Sequence, residues 1–241
     1  MNSQQIQNIL FLDIETVSCV EEYSQLNERV AALWNKKSGF IKNEEELTTA
    51  EMFTKRAAIY AEFGKIVTIA VGIVTLDDNK DHVLRIKAFA DDDETKILKD
   101  FKSLLEQKFD QSKLLLCAHN GREFDFPYMC RRFLINQIPI PQVLQLEGKK
   151  PWEIMHIDTM ELWKFGDRKS YTSLDLLAAI FDIESSKDDI DGSMVHEVYY
   201  KNKELDRIAQ YCMQDVLVTA QLFLKLNCLP LIPEDRVVML D

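Results

Sequence analysis

Five side chains carry the chemistry open to this sequence. Asp13 and Glu15 stand one residue apart in Leu10-Phe11-Leu12-Asp13-Ile14-Glu15-Thr16, at the end of an apolar run that begins at Ile9. In an extended strand, side chains two apart share a face, so the two carboxylates emerge together. Paired acids at the end of a buried strand repel each other and lose hydration, which is unfavourable without a positive partner. Hard divalent cations such as Mg2+ or Mn2+ prefer oxygen donors of this kind. Asp125 follows a second apolar run, and Tyr211 and Asp215, four apart in a strongly periodic segment, share a helix face. Each piece alone has a plainer use. Asp-x-Glu can be a strand running into an acidic loop, Asp125 a helix N-cap, and Tyr211 with Asp215 a local hydrogen bond.

The elements that must position these groups follow from periodicity. Asn8 to Leu12, Ile66 to Thr75, Val83 to Phe89, Leu114 to Ala118 and Ile154 to Ile157 read as strands, the second and third as an antiparallel hairpin around Asp77-Asp78-Asn79-Lys80-Asp81. Ile97, Leu98, Phe101, Leu104, Leu105 and Phe109 fall on one helical face. Helices are also predicted over Phe126 to Asn136, with Pro127 in the first turn, near Ser173–Phe181, and over Leu205–Leu226. In the last, Leu205, Ile208, Cys212, Val216, Ala220 and Phe223 form the apolar stripe. Gly121 permits a tight turn between the fourth strand and Asp125. In open α/β sheets, ligands collect beyond the carboxyl ends of the strands, where Asp125 falls. The order implies an α/β chain with a mixed five-stranded sheet and helices on both faces, the arrangement of an RNase H-like architecture. Residues 1–241 read as one domain with a helical insertion at about 17–62, in which Leu26, Val30, Leu33 and Trp34 have the spacing of a helix face.

The 241 residues include 40 Asp and Glu against 29 Lys and Arg, a formal charge of −11. General adhesion to nucleic acid, which relies on a basic surface, is disfavoured. No apolar run reaches the roughly 18 residues of a membrane span, and the N-terminus lacks the zones of a signal peptide. Five cysteines without a Cys-x-x-Cys pair suit reduced core residues in a cytoplasmic protein.

Asp-x-Glu on a first strand, Asn120-x-x-x-Phe124-Asp125-x-Pro127-Tyr128 after a central strand and Tyr211-x-x-x-Asp215 in a C-terminal helix occur in that order. Together they resemble the DnaQ-like 3'–5' exonucleases of the tyrosine-bearing DEDDy branch, above all the exonuclease domain of family B DNA polymerases. Glu62-Phe63-Gly64-Lys65-Ile66-Val67 and Tyr171-Thr172-Ser173-Leu174-Asp175-Leu176-Leu177 support the likeness. The sister branch carries histidine where this chain has Gln210, and Glu123 stands where family B polymerases often have Asn. The resemblance implies that Asp13, Glu15, Asp125 and Asp215 hold two divalent ions, Mg2+ or Mn2+, and that Tyr211 orients the attacking water. It also implies hydrolysis of single-stranded DNA from its 3' end with release of 5'-mononucleotides. An exoribonuclease would carry the same acids, and a non-catalytic nucleic-acid-binding module would keep the architecture.

Expected substrate contacts are Thr16, Asn120, Phe124, Trp163, Lys164, Arg168 and Lys169. The stretch Leu162 to Tyr171 interleaves cations with aromatics, which suits a single strand whose bases stack while its phosphates meet Lys or Arg; it can equally be a solvated loop with Trp163 in the core. His119, His156, Asp158 and His196 read first as structural hydrogen-bonding groups. The 17–62 insertion is a candidate surface for a protein partner.

Overall fold

The computed structural model describes residues 3–167, 171–184 and 190–240. A short helix α1 (Ser3–Ile6) leads into β1 (Ile9–Ser18), whose residues alternate between two cores. Leu10, Leu12 and Ile14 join one core, and Ile9 and Phe11 join the other, so Asp13 and Glu15 continue the second face. Next come helices α2 (Glu28–Ser38) and α3 (Thr49–Arg56), then the hairpin β2 (Gly64–Leu76) and β3 (His82–Ala90). Helix α4 (Glu94–Lys108) leads to β4 (Leu115–Ala118), and α5 (Asp125–Ile135) to β5 (Ile157–Asp158) and α6 (Thr159–Lys164). Helix α7 (Leu174–Ile180) precedes α8 (Val195–Glu197), which runs into a π-helical turn, Val198–Asn202. The long α9 (Leu205–Leu226) and β6 (Val237–Leu240) complete the described chain.

The sheet order is β5-β4-β1-β2-β3-β6. β1–β2 and β2–β3 are antiparallel; β1–β4, β4–β5 and β3–β6 are parallel. The expected five strands are thus six. The addition, β6, follows the proline-bearing run Leu229-Pro230-Leu231-Ile232-Pro233 and is a four-residue, partly exposed edge, too short to show alternation. Its approach is fixed by an ion pair between Arg236 Nη2 and Asp81 Oδ2, at 2.8 Å. The fifth strand starts later than the apolar pattern suggests, because only Ile157 and Asp158 pair with β4.

Helices cover both faces. α4 and α5 place Ile97, Phe101, Met129 and Phe133 on Leu10, Leu12, Ile69 and Val71. α9 lays Cys212, Val216, Ala220 and Phe223 on Ile9, Phe11 and Ala70, with Phe11 and Phe223 in edge contact at 5.5 Å. Burying side chains of this size contributes about 1.5–3 kcal/mol each. At Gly72, an added Cβ would lie 2.7 Å from Val216 Cγ1, so glycine lets α9 settle close to β2 in the turn just after Asp215. No helix among the described residues is long and apolar enough to cross a membrane.

A buried ion pair ties the other face together. The Glu94 carboxylate accepts hydrogen bonds from Arg132 Nε at 2.8 Å, Asn136 Nδ2 at 2.8 Å and the Ile66 amide at 2.7 Å. Arg132 Nη1 donates to the Ala61 carbonyl at 2.7 Å. Losing one partner of such a pair leaves a buried charge and costs about 3–5 kcal/mol. The segment between β1 and β2 has a small core of its own, Trp34, Met52, Phe53, Ala57 and Phe63, with the Trp34 indole N–H donating to the Thr49 carbonyl at 3.1 Å. Of the four residues expected to form its helical stripe, Leu33 instead faces solvent.

Candidate active site

β1 delivers Asp13 and Glu15 toward its carboxyl end on the face that α9 covers, and α9 delivers Asp215 to the same place. One carboxylate oxygen from each of the three lies within 4.8 Å of the others. A β-bulge follows at once: Glu15 pairs with Thr68 but Thr16 with Ile66, so Val67 is the extra residue on β2. Asp125 arrives from the other side, on the first residue of α5 after the turn from β4. It is 3% exposed and Glu15 9%.

Electrostatics reflect this crowding. Burial, then the charges of Asp215, Glu15 and Asp125, hold the Asp13 carboxyl well above the usual carboxylate range. Burial, Asp215 and Asp125 do the same to Glu15. Asp125 is pushed up to about 7, chiefly by burial and further by Asp158 and Asp215, while its own amide and that of Ile14 pull it down. Asp13, Glu15 and Asp125 are thus each raised by burial and by neighbouring carboxylates, the pattern of acids gathered where a cation would relieve them. Among the described residues, the buried Oδ1 of Asp125 has no hydrogen-bond partner. An all-oxygen donor set with an orphaned buried carboxylate oxygen fits hard divalent cations.

Tyr211 stands beside the acids. Its hydroxyl hydrogen-bonds Asp215, and burial followed by the charges of Asp215, Glu15 and Asp13 keeps the phenol protonated far above its ordinary range. Cys212, expected only as a core residue of the helix, donates its S–H to Asp13 Oδ2 at 3.2 Å. The only signal for it was a place on the apolar stripe next to Tyr211.

The other expected contacts divide. The Thr16 hydroxyl donates to the Ala58 carbonyl at 3.0 Å. Asn120 adopts a left-handed backbone (φ 62°), its amide held by Asp158 Oδ1 at 3.0 Å, and its buried Oδ1 has no partner among the described residues. Phe124 packs on Tyr128 with centroids 5.3 Å apart. Trp163 packs on Phe181 at 5.8 Å beside the core of Leu177 and Leu222, and Lys164 is paired with Glu161 at 2.8 Å. Arg168 and Lys169 lie outside the described residues.

Asp158 is structural in its bonding: it accepts from the amides of Asn120, Arg122, Met160 and Glu161, so one carboxylate caps α6 and pins the turn toward Asp125. His156 accepts from the Leu116 amide at Nδ1 and donates from Nε2 to the Val143 carbonyl. The Ser18 hydroxyl donates to the Val20 carbonyl, so His196 Nδ1 donates to Ser18.

The family model described as a predicted 3'-5' exonuclease related to the exonuclease domain of PolB matches residues 59–230. That span contains Asp125, Tyr211 and Asp215; the fold adds Asp13 and Glu15 from the preceding strand. Among solved structures, the family B DNA polymerase from the hyperthermophilic archaeon Pyrobaculum calidifontis is similar in fold, with a TM-score of 0.57 at 13% identity. The similarity covers 90% of this chain and 24% of the polymerase chain, so this chain spans about a quarter of that protein's length. No curated protein matches it in sequence.

Proposed function

The chain belongs to the family of predicted 3'-5' exonucleases related to the exonuclease domain of PolB, and from that premise we propose that it removes 5'-mononucleotides from the 3' end of single-stranded DNA with two divalent metal ions, Mg2+ or Mn2+. The observation that carries this is the convergence of Asp13, Glu15 and Asp215, from the first strand and the last long helix, on one small volume with Tyr211 beside it.

Asp13, Glu15 and Asp215 would hold one ion, and Asp13 with Asp125 a second. When bound, such ions neutralise charge on the attacking water and on the departing 3'-oxygen. The chain's own groups do the rest. Neutral Tyr211 hydrogen-bonds the nucleophilic water and fixes its direction, and it has no role as a base because its proton is held so tightly. Asp215 accepts the other bond of that phenol and so fixes the ring. Asp158 holds the Asn120–Arg122 turn from which Asp125 is presented.

We read residues 1–241 as one exonuclease domain carrying a helical insertion at about 17–62. The family match beginning at residue 59, near the end of that excursion, supports this division. Exposed Leu33, Phe40 and Ile59 are what the insertion region offers a protein partner. Cys19, Cys117, Cys130, Cys212 and Cys228 are all free thiols, which suits the reducing cytoplasm.

The test is a 5'-end-labelled single strand incubated with the protein and Mg2+. Stepwise shortening from the 3' end is expected, abolished by EDTA and by Asp215→Ala at an unchanged unfolding temperature. Undiminished cleavage by Asp215→Ala would reject the assignment, and matched DNA and RNA strands rank the two substrates.

A further inference from the structure

Tyr171 stands where core packing has no use for it. Its neighbour Thr172 is buried and anchored: His119 Nε2 donates to the Thr172 carbonyl at 2.9 Å, and His119 Nδ1 lies 2.8 Å from Thr159 Oγ1. That bond ties residue 172 to the carboxyl end of β4, one residue before Asn120 and the turn leading to Asp125. The next residue, Ser173, caps α7 by accepting from the Leu176 amide at 3.2 Å. The backbone beyond Tyr171 is therefore fixed, yet its own side chain is 69% exposed. The ring also lies within the field of the acids: burial first, then the charges of Asp125 and Asp215, raise its phenol above the ordinary value.

An exposed aromatic anchored through Thr172 beside the turn that presents Asp125 meets a specific need. The chain carries a formal charge of −11, so phosphate attraction contributes little to holding a polyanion. Lys164, the nearest described cation in sequence, is paired with Glu161. Stacking on a ring supplies affinity without charge and tolerates any base. We propose that Tyr171 is the platform on which the base next to the scissile phosphodiester stacks. A base must leave its pair to stack there, which agrees with the single-stranded 3' end already proposed as substrate. This deepens the exonuclease assignment and rests on it.

The probe is a short single strand with 2-aminopurine at its 3' terminus, titrated in EDTA so that nothing is hydrolysed. Wild type and Tyr171→Phe are expected to quench the fluorophore and bind alike. Tyr171→Ala and Tyr171→Leu should lose the quenching and bind roughly tenfold more weakly. With Mg2+, KM should rise by the same factor while kcat stays within about twofold, because the ring is placed on the base and not on the reacting atoms. Equal unfolding temperatures confirm that the fold is intact. Unchanged quenching and KM in Tyr171→Ala, with wild type hydrolysing normally, would overturn the stacking role alone. A wild-type protein that neither binds nor shortens the strand would overturn the exonuclease assignment and the stacking role together.

Discussion

The phenol of Tyr211 hydrogen-bonds the carboxylate of Asp215 one turn further along α9, and the same carboxylate shares a volume with Asp13 and Glu15. Tyr211→Phe deletes only the hydroxyl. The ring stays packed among Val17, Val67 and Ile208, so the fold should hold. Loss of the water's orienting partner should lower kcat by about 10²-fold, with little change in substrate affinity. Because buried Tyr211 is surrounded by negative charge, it stays protonated throughout the usual assay range. Single-turnover rates should therefore show no alkaline limb from this group below about pH 10. Such a limb, lost in Tyr211→Phe, would make the tyrosine a base instead.

Crowded acids imply a stability signature. Glu15 is buried and raised by burial, Asp215 and Asp125, so its charge works against the metal-free fold. Glu15→Gln removes that charge at nearly constant shape. The metal-free variant should melt above wild type, by about 2–4 °C for each kcal/mol of repulsion relieved. Added Mn2+ should stabilise wild type more than the variant, since ions that bind the folded state raise its stability by mass action. Differential scanning calorimetry with and without Mn2+ checks both signs, and a variant that melts lower than metal-free wild type would count against mutual repulsion at Glu15.

Asp13 and Glu15 were legible because strand periodicity alone sets which face they share, and helical periodicity likewise placed Tyr211 and Asp215 together. α9 begins and ends where periodicity predicts, at Leu205 and Leu226. What sequence could not show depends on partners distant in the chain. The bulge after Glu15 exists only in register with β2, and β6 exists only because β3 offers an edge. The thiol of Cys212 meets Asp13 across 199 residues. Trp163 illustrates a further limit: an aromatic among cations fits a stacking surface and a core anchor equally well, and Phe181 is what it meets.

Gly64 starts β2 under a tight constraint. A Cβ there would overlap Tyr128 Oη and sit 2.8 Å from the Ala58 carbonyl oxygen and 3.0 Å from that of Val17. The phenol is itself buried and hydrogen-bonded to the Ala58 carbonyl, and the two backbone oxygens are fixed as well. The Ala58 carbonyl also accepts from both Tyr128 and Thr16, the residue after Glu15. Gly64→Ala should therefore destabilise by about 1–3 kcal/mol. Tyr128→Phe in the same chain should recover only part of the loss, since it relieves the shortest contact and leaves the carbonyls. Urea unfolding of the two singles and the double measures this; full recovery would show that the phenol alone sets the constraint.

His156 gives the fold a pH dependence of known sign. Nδ1 accepts from the Leu116 amide at 3.2 Å and Nε2 donates to the Val143 carbonyl at 2.8 Å, so the buried imidazole is needed neutral. Burial lowers its pKa below the ordinary histidine value. The unfolded chain then takes up a proton near pH 6.5 that the folded chain refuses. Where the unfolded state binds more protons, stability falls as pH falls. The contribution is therefore complete above about pH 6.5 and declines down to the depressed folded pKa, by about 1.4 kcal/mol per unit of depression. His156→Gln lacks this titration, while His119 and His196 titrate alike in both proteins. The stability advantage of wild type over His156→Gln, measured by urea unfolding, should shrink between pH 7 and pH 5. An advantage that stays constant or widens on acidification would mean that His156 carries its proton in the folded state, and that the bond from the Leu116 amide is not what holds the ring.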